Sequence, residues 1–273
     1  MAQSSASSTD TRSTTTAGTG TGTTAARPRS RSLDGRHVVV MGGSSGIGEA
    51  TASVLAADGA EVVVTGRDQA RLDAAVGRIG GTTTGRRVDG ADPARVAEFF
   101  AASTRPIDHL VLALSGASGS GPIAGLDLEQ LAAGFDGKFW PFLRILQAAL
   151  PHLAPDASVT FVTAASARAA FPGTAGLAAI NGALEAMVPP LAVELAPIRV
   201  NAVSPGVVDT PWWNNVPAEQ RTELFAGISA TTPVGRVGRA EDVADVIRLL
   251  VGNGFMSGTV VECTGGANLA TGR

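Results

Sequence analysis

The stretch VVVMGGSSGIGEA, residues 38–50, decides the fold. Four apolar, mostly β-branched residues run straight into a turn built on Gly42, Gly46 and Gly48, and a helical pattern starts at once behind it. A strand, a glycine turn and a helix in that order bring backbone N–H groups and a helix N-terminus to one point. Gly42, Gly46 and Gly48 let the chain turn tightly and lie close to a pyrophosphate, and Ser44, Ser45 and Ile47 complete the turn. A glycine turn alone is a weak signal, so its weight depends on what surrounds it.

Working outward, short β-branched runs alternate with longer Ala-rich stretches at helical spacing. Strands are expected at His37–Met41, Glu61–Thr65, Arg86–Val88, His109–Ala113, Ser158–Val162, Arg199–Val203 and Thr259–Glu262. Helices are expected at Gly46–Ala57, Gln69–Arg78, Pro93–Ser103, Leu128–His152, Gly173–Leu195 and Glu241–Val251. Regular alternation with short connections predicts a doubly wound α/β domain with a parallel sheet, the Rossmann fold, over residues 33–273. The longer segment at about 207–239 follows a strand end, where an open α/β sheet carries its substrate loop. Residues 1–32 are Ser/Thr/Gly-rich with few large apolar side chains. They read as a disordered solvated tail, with an organelle transit peptide as the other reading of an acid-poor leader.

Composition narrows the function classes. The 273 residues are 44% hydrophobic and 16% charged with a net charge of -3, enough apolar material for a full core and no basic stripe for nucleic acid. One cysteine, Cys263, excludes a disulfide framework and points to a reducing, cytoplasmic setting. Three scattered histidines (His37, His109, His152) give no metal-ligand spacing, so no metal site is expected. There is no unbroken apolar run of membrane-spanning length and no secretion signal, so a membrane partner is not expected.

The spacing Gly42-x3-Gly46-Ile47-Gly48 resembles the short-chain dehydrogenase/reductase family, with Met41 where threonine is usual. VDGAD (88–92), LAVELAPIRVNAVSPGVVDTP (191–211), GRVGRAEDVADVIRLL (235–250) and SGTVVECTGG (257–266) extend the resemblance over Leu33–Gly266, though Thr264 replaces a usual aspartate. The resemblance implies that Asp89 contacts the adenine, that Pro205, Gly206 and Thr210 lie beside a nicotinamide, and that the chain forms a homo-oligomer through its fourth and fifth helices. Pro141, Pro189 and Pro190 interrupt those helices, and proline there predicts kinks. At the end of the second strand, Gly66-Arg67 stands where an acidic residue would select NAD(H). The Arg67 guanidinium suits a 2′-phosphate, so NADP(H) is the expected cofactor, while Asp68 suits the next helix N-terminus.

The same resemblance fails at the usual catalytic residues. A tyrosine and a lysine four residues apart are expected in FVTAASARAAFPGTAGLAAING (161–182), and Leu177 and Asn181 occupy their places; the chain has no tyrosine at all. The usual serine aligns with Thr163 or Ala164, with Ser166 slightly displaced, and LALSG (112–116) replaces the usual Asn-Asn-Ala-Gly segment. The long-helix asparagine aligns with Lys138 in FDGKFW (135–140), so the asparagine and lysine look exchanged between two facing helices. Two readings of Lys138 are open: a charge or proton source opposite Asn181, with Asn181 on the ribose, or a solvated helix residue. Trp140, Phe171, Trp212, Trp213 and Phe225 are either the wall of a pocket for a bulky apolar or aromatic small molecule or plain packing.

Three functions follow. The first is an NADP(H)-dependent reductase with altered proton chemistry, acting on an iminium or another activated substrate that needs little help from an acid. The second is a cyclase or isomerase that uses the nucleotide without redox. The third is a catalytically silent NADP(H)-binding scaffold.

Overall fold

A computed structural model describes residues 33–116 and 118–269; the tail at 1–32 lies outside the described residues. The order of elements is β1 (His37–Met41), α1 (Gly46–Ala57), β2 (Glu61–Gly66), α2 (Gln69–Ile79), β3 (Thr84–Arg87), α3 (Pro93–Ala101), β4 (Ile107–Leu112), α4 (Leu128–Gly134), α5 (Trp140–Ala149), β5 (Leu153–Val162), α6 (Ala175–Glu194), β6 (Arg199–Pro205), β7 (Val208–Asp209), α7 (Ala218–Thr231), β8 (Gly238–Arg239), α8 (Ala240–Gly252) and β9 (Val260–Cys263). Seven strands form one parallel sheet in the order β3-β2-β1-β4-β5-β6-β9.

β1 shows why the sheet is buried on both faces. Val39 and Met41 point into a core shared with Val96 and Phe100 of α3, Phe142 and Ile145 of α5, and Leu184 and Val188 of α6. Val38 and Val40 point the other way, onto Leu55 of α1, Leu72 of α2 and Ile247 of α8. Alternation along a strand therefore feeds two apolar layers, which is why a nearly continuous Val run is needed rather than an alternating one. Helix starts are fixed by short acids: Asp68 accepts from Arg71 N at 2.8 Å, and Asp92 accepts from Ala94 N at 3.0 Å ahead of Pro93.

The strand order reverses direction of growth at β1 and β4, and a crevice opens there at the C-terminal ends of the strands. Every expected strand is present within a few residues. The helix expected over Leu128–His152 is broken: one π-helical turn at Phe135–Phe139 separates α4 from α5. Pro141 falls in the first turn of α5, where its missing N–H costs least. α6, by contrast, continues through Pro189 and Pro190 as one helix. α6 also has the length and apolarity of a membrane span, but it is a core helix that buries Asn181 and Glu185 with Leu184 and Val188.

The segment at 207–239 is more ordered than a loop. β7 pairs with β8 and closes it at the base, and α7 fills its middle. No residue of α7 is buried, so it lacks the apolar stripe that marks a helix in sequence.

Candidate active site

The glycine turn is built for close approach. Gly42 has φ +86°, and a Cβ there would lie 2.8 Å from the Ala113 carbonyl oxygen. At Gly48 a Cβ would lie 2.1 Å from the Gly42 oxygen, so the turn and the first coil of α1 interlock only without side chains. Ser45 precedes α1 in extended conformation and makes no side-chain cap, which leaves first-turn N–H groups for an anion. Ser44, Ser45, Gly46, Ile47 and Gly48 all face one cleft of about 1960 Å³, large enough for a dinucleotide and a second molecule.

The same cleft gathers residues distant in sequence. Arg67, Arg71, Asp89, Pro205, Gly206 and Thr210 all line it. Arg78 is engaged by Glu49, with Nε 2.6 Å from Oε1, whereas Arg67 and Arg71 make no side-chain hydrogen bond or ion pair with another described residue. This donor set fits a nicotinamide dinucleotide: a cradle a Cβ would fill, an open helix N-terminus and two uncommitted guanidinium groups.

Deeper in, the π-helical turn presents Lys138. Just before it, Gly134 packs where a Cβ would sit 2.6 Å from the Ser118 oxygen. Only 7% of Lys138 is exposed, and its Nζ donates to Asn181 Oδ1 at 2.8 Å and to the Thr163 carbonyl at 3.3 Å. The reading of Lys138 as a solvated helix residue is therefore excluded. Burial draws the ammonium down to about 8 from its ordinary 10.5, against the opposing pull of the Glu185 carboxylate.

Asn181 is the hub. Its Nδ2 donates to Ser166 Oγ at 3.2 Å and to the Leu177 carbonyl at 3.0 Å, which orients the amide so that its oxygen faces Lys138. Leu177, Asn181 and Glu185 follow at intervals of four along α6, on one helical face. Leu177 is half-buried and lines the cleft. The Thr163 hydroxyl points away from Lys138 and shares its hydrogen between Glu185 Oε1 at 2.8 Å and the Val203 carbonyl at 3.0 Å. Behind it, Arg168 Nε lies 2.9 Å from Glu185 Oε2, an ion pair outside hydrogen-bond alignment, and Arg168 Nη1 lies 3.3 Å from Glu262 Oε1.

The structure thus brings Lys138, Asn181, Thr163 and Ser166 together. Of the aromatic residues, Phe171, Trp212 and Trp213 line the cleft, with Phe171 and Trp212 exposed at its mouth. Trp213 is anchored by Nε1 donation to the Val208 carbonyl at 3.0 Å, and Phe225 buttresses it edge-on at 5.6 Å. Trp140 does not belong to the site. Two residues beyond Lys138 on a helical path, it points to the opposite side, 45% exposed and edge-on to Phe139.

Glu185, Arg168 and Arg71 escaped the sequence reading, because nothing in their local pattern separates them from ordinary helix and turn charges. Composition does single out one residue. Among 21 basic Lys and Arg residues, Lys138 is the single lysine of the chain.

The family model described as enoyl-(acyl carrier protein) reductase matches residues 42–268. A short-chain dehydrogenase/reductase of Stachybotrys chlorohalonatus, ATR9, is 31% identical, covering 87% of this chain and 99% of the relative. A crystal structure of a small-chain dehydrogenase in complex with NADPH is 30% identical with a TM-score of 0.73, covering 86% of this chain and 100% of that one. The structure of the MalC reductase/Diels-Alderase from Malbranchea aurantiaca is 25% identical with a TM-score of 0.79, covering 87% and 97%. With the seven-stranded sheet, the glycine cradle and these matches together, the chain belongs to the short-chain dehydrogenase/reductase family of oxidoreductases, which use nicotinamide cofactors.

Proposed function

We propose that the chain is an NADP(H)-dependent reductase of an activated, bulky apolar or aromatic carbonyl compound, in which Lys138 does the proton work of the missing tyrosine. The observation that carries this reading is the buried Lys138–Asn181 pair, 2.8 Å apart in the wall of the nucleotide cleft. The bound nicotinamide supplies the hydride. The glycine turn and the N-terminus of α1 bind the pyrophosphate, Arg67 and Arg71 hold the 2′-phosphate, and Asp89 takes the adenine. Pro205, Gly206 and Thr210 shape the nicotinamide end. Asn181 orients both the ribose and Lys138, with Ser166 fixing the Asn181 amide. Lys138 is protonated near neutrality and close to its own pKa, which suits a general acid beside an oxygen that gains negative charge.

The Lys138 charge also ranks the substrates. An iminium needs only a hydride, but its cationic carbon is repelled by an ammonium in a poorly screened site, so the neutral activated carbonyl comes first. Phe171, Trp212 and Trp213 supply the apolar wall. The exposed Trp140 and Val193, on α5 and α6, mark the face for a homo-oligomer.

The test is NADPH oxidation followed against activated aromatic ketones and cyclic iminiums. Turnover with the ketones, a preference over NADH, and a fall of roughly 10² to 10⁴ in kcat for Lys138→Met with NADPH affinity retained are expected. A second reading, a non-redox cyclase or isomerase, is favoured by one observation, the similarity to a protein described as both reductase and Diels-Alderase. Product formed equally well with NADP⁺ and without cofactor oxidation would replace the first reading with the second.

A further inference from the structure

The lone lysine has chemistry that hydride transfer does not use. Lys138 lines the cleft together with Gly116, Gly137 and Asn181, and Phe171 and Trp212 line the same cleft. A neutral lysine amine has two N–H bonds and one lone pair. Asn181 Oδ1 and the Thr163 carbonyl accept the two hydrogens, which leaves the remaining tetrahedral direction to the lone pair. No carboxylate bonds the nitrogen: the Glu185 oxygens are taken up by Thr163 and Arg168. An amine held this way is oriented as a nucleophile rather than locked in a salt bridge.

We propose that Lys138 captures aromatic or α,β-unsaturated aldehydes covalently, as a Schiff base formed through its Nζ inside the cleft. The lone pair attacks the carbonyl carbon, the carbonyl π-bond becomes the carbinolamine hydroxyl, and loss of that oxygen as water leaves a C=N bond. Amine and aldehyde give imine and one water, with no change of oxidation state. A protonated imine draws electrons from a conjugated chain and makes its far carbon an acceptor for addition or cycloaddition, so the capture has a use beyond storage. This goes beyond the reductase reading and stands without it, since no nicotinamide takes part.

The lowered basicity of Lys138 sets the size of the effect. At pH 7.5 roughly a quarter of an amine with a pKa of about 8 is neutral, against about one part in a thousand for an ordinary lysine. The full chain is incubated without nucleotide with cinnamaldehyde and sodium cyanoborohydride, which fixes the imine as a secondary amine, and is then digested and mapped by mass. Since the chain has one lysine, every ε-amine adduct reports this site, and the N-terminal α-amine is separated by its own peptide. Adduct at Lys138 forming more than about tenfold faster than on Nα-acetyl-lysine amide, with a rate that saturates in aldehyde, is expected. Label confined to the N-terminal amine, or Lys138 labelled no faster than the model amine, overturns the proposal. This readout comes from the wild-type protein, so it does not depend on the folding of any Lys138 variant. Failure of the reductase reading would instead show as NADPH that is never oxidised.

Discussion

Replacing Lys138 with methionine tests the electrostatics of the site through stability rather than catalysis. Methionine keeps the unbranched apolar stem, one heavy atom shorter, while removing the charge. Folding lowers the lysine pKa from 10.5 to about 8, so the folded state holds the proton less tightly than the unfolded chain does. The sign follows from proton counts: between about pH 8 and 10.5 the unfolded state binds more protons, and stability rises with pH across that window. Below pH 8 the buried ammonium costs the folded state roughly 3 kcal/mol relative to the neutral amine, and between pH 7 and pH 9.5 about 2 kcal/mol of this is recovered. Lys138→Met has no such group. It leaves the Asn181 Oδ1 and Thr163 carbonyl acceptors without their donor, a cost of about 1 to 3 kcal/mol each that does not vary with pH. Urea denaturation of both proteins at several pH values from 7 to 9.5 measures the difference, and contributions common to both, such as the burial-raised Cys263 thiol, cancel. The wild type should gain about 2 kcal/mol on the variant across the range. Parallel curves, within about 0.5 kcal/mol, would refute the burial of a titrating Lys138.

Three further predictions probe the surroundings. Gly48→Ala drives a methyl group into the Gly42 carbonyl, so the turn must open and NADPH binding, read by nucleotide fluorescence, should weaken at least tenfold; unchanged binding would mean the turn is not the pyrophosphate cradle. Arg67→Ala should cost roughly 1.5 to 3 kcal/mol of NADPH affinity with little effect on NADH, and an equal loss for both would place the 2′-phosphate elsewhere. In Glu185→Gln, loss of the carboxylate that raises the Lys138 pKa should move the limb of the pH–rate profile assigned to Lys138 to lower pH. Glu185, from α6, is the charged partner that acts on this group; an unmoved limb would show that it serves only to hold Thr163 and Arg168.

The strand and helix periods were enough to place the inner strands of the large sheet, because a parallel sheet covered on both faces must be written in unbroken apolar runs such as Val38–Met41, whereas the edge strand β3, TGRR, has no such run and coincides with expectation only at Arg86–Arg87. The glycine turn was equally legible, since its close contacts tolerate no Cβ. α7 was not, because a helix with no buried face leaves no apolar period to detect. The π-helical turn at Phe135–Phe139 was invisible for a different reason: its sequence is that of ordinary helix, and no local period marks a wider turn. Trp140 was misplaced through the same turn, as side-chain direction around a helix reverses within two residues.

By itself, then, the sequence determined the parallel α/β class of the sheet, the glycine turn and the absence of any tyrosine, all of which are consequences of residue type and local period. Tertiary structure alone decided which polar residues meet in the cleft beside Leu177. Lys138 and Asn181 are 43 positions apart, and only the packing of the π-helical turn against α6 sets them 2.8 Å apart. That same packing removes the lysine from water, and desolvation, which no local pattern encodes, turns a common surface cation into an amine poised near neutral pH.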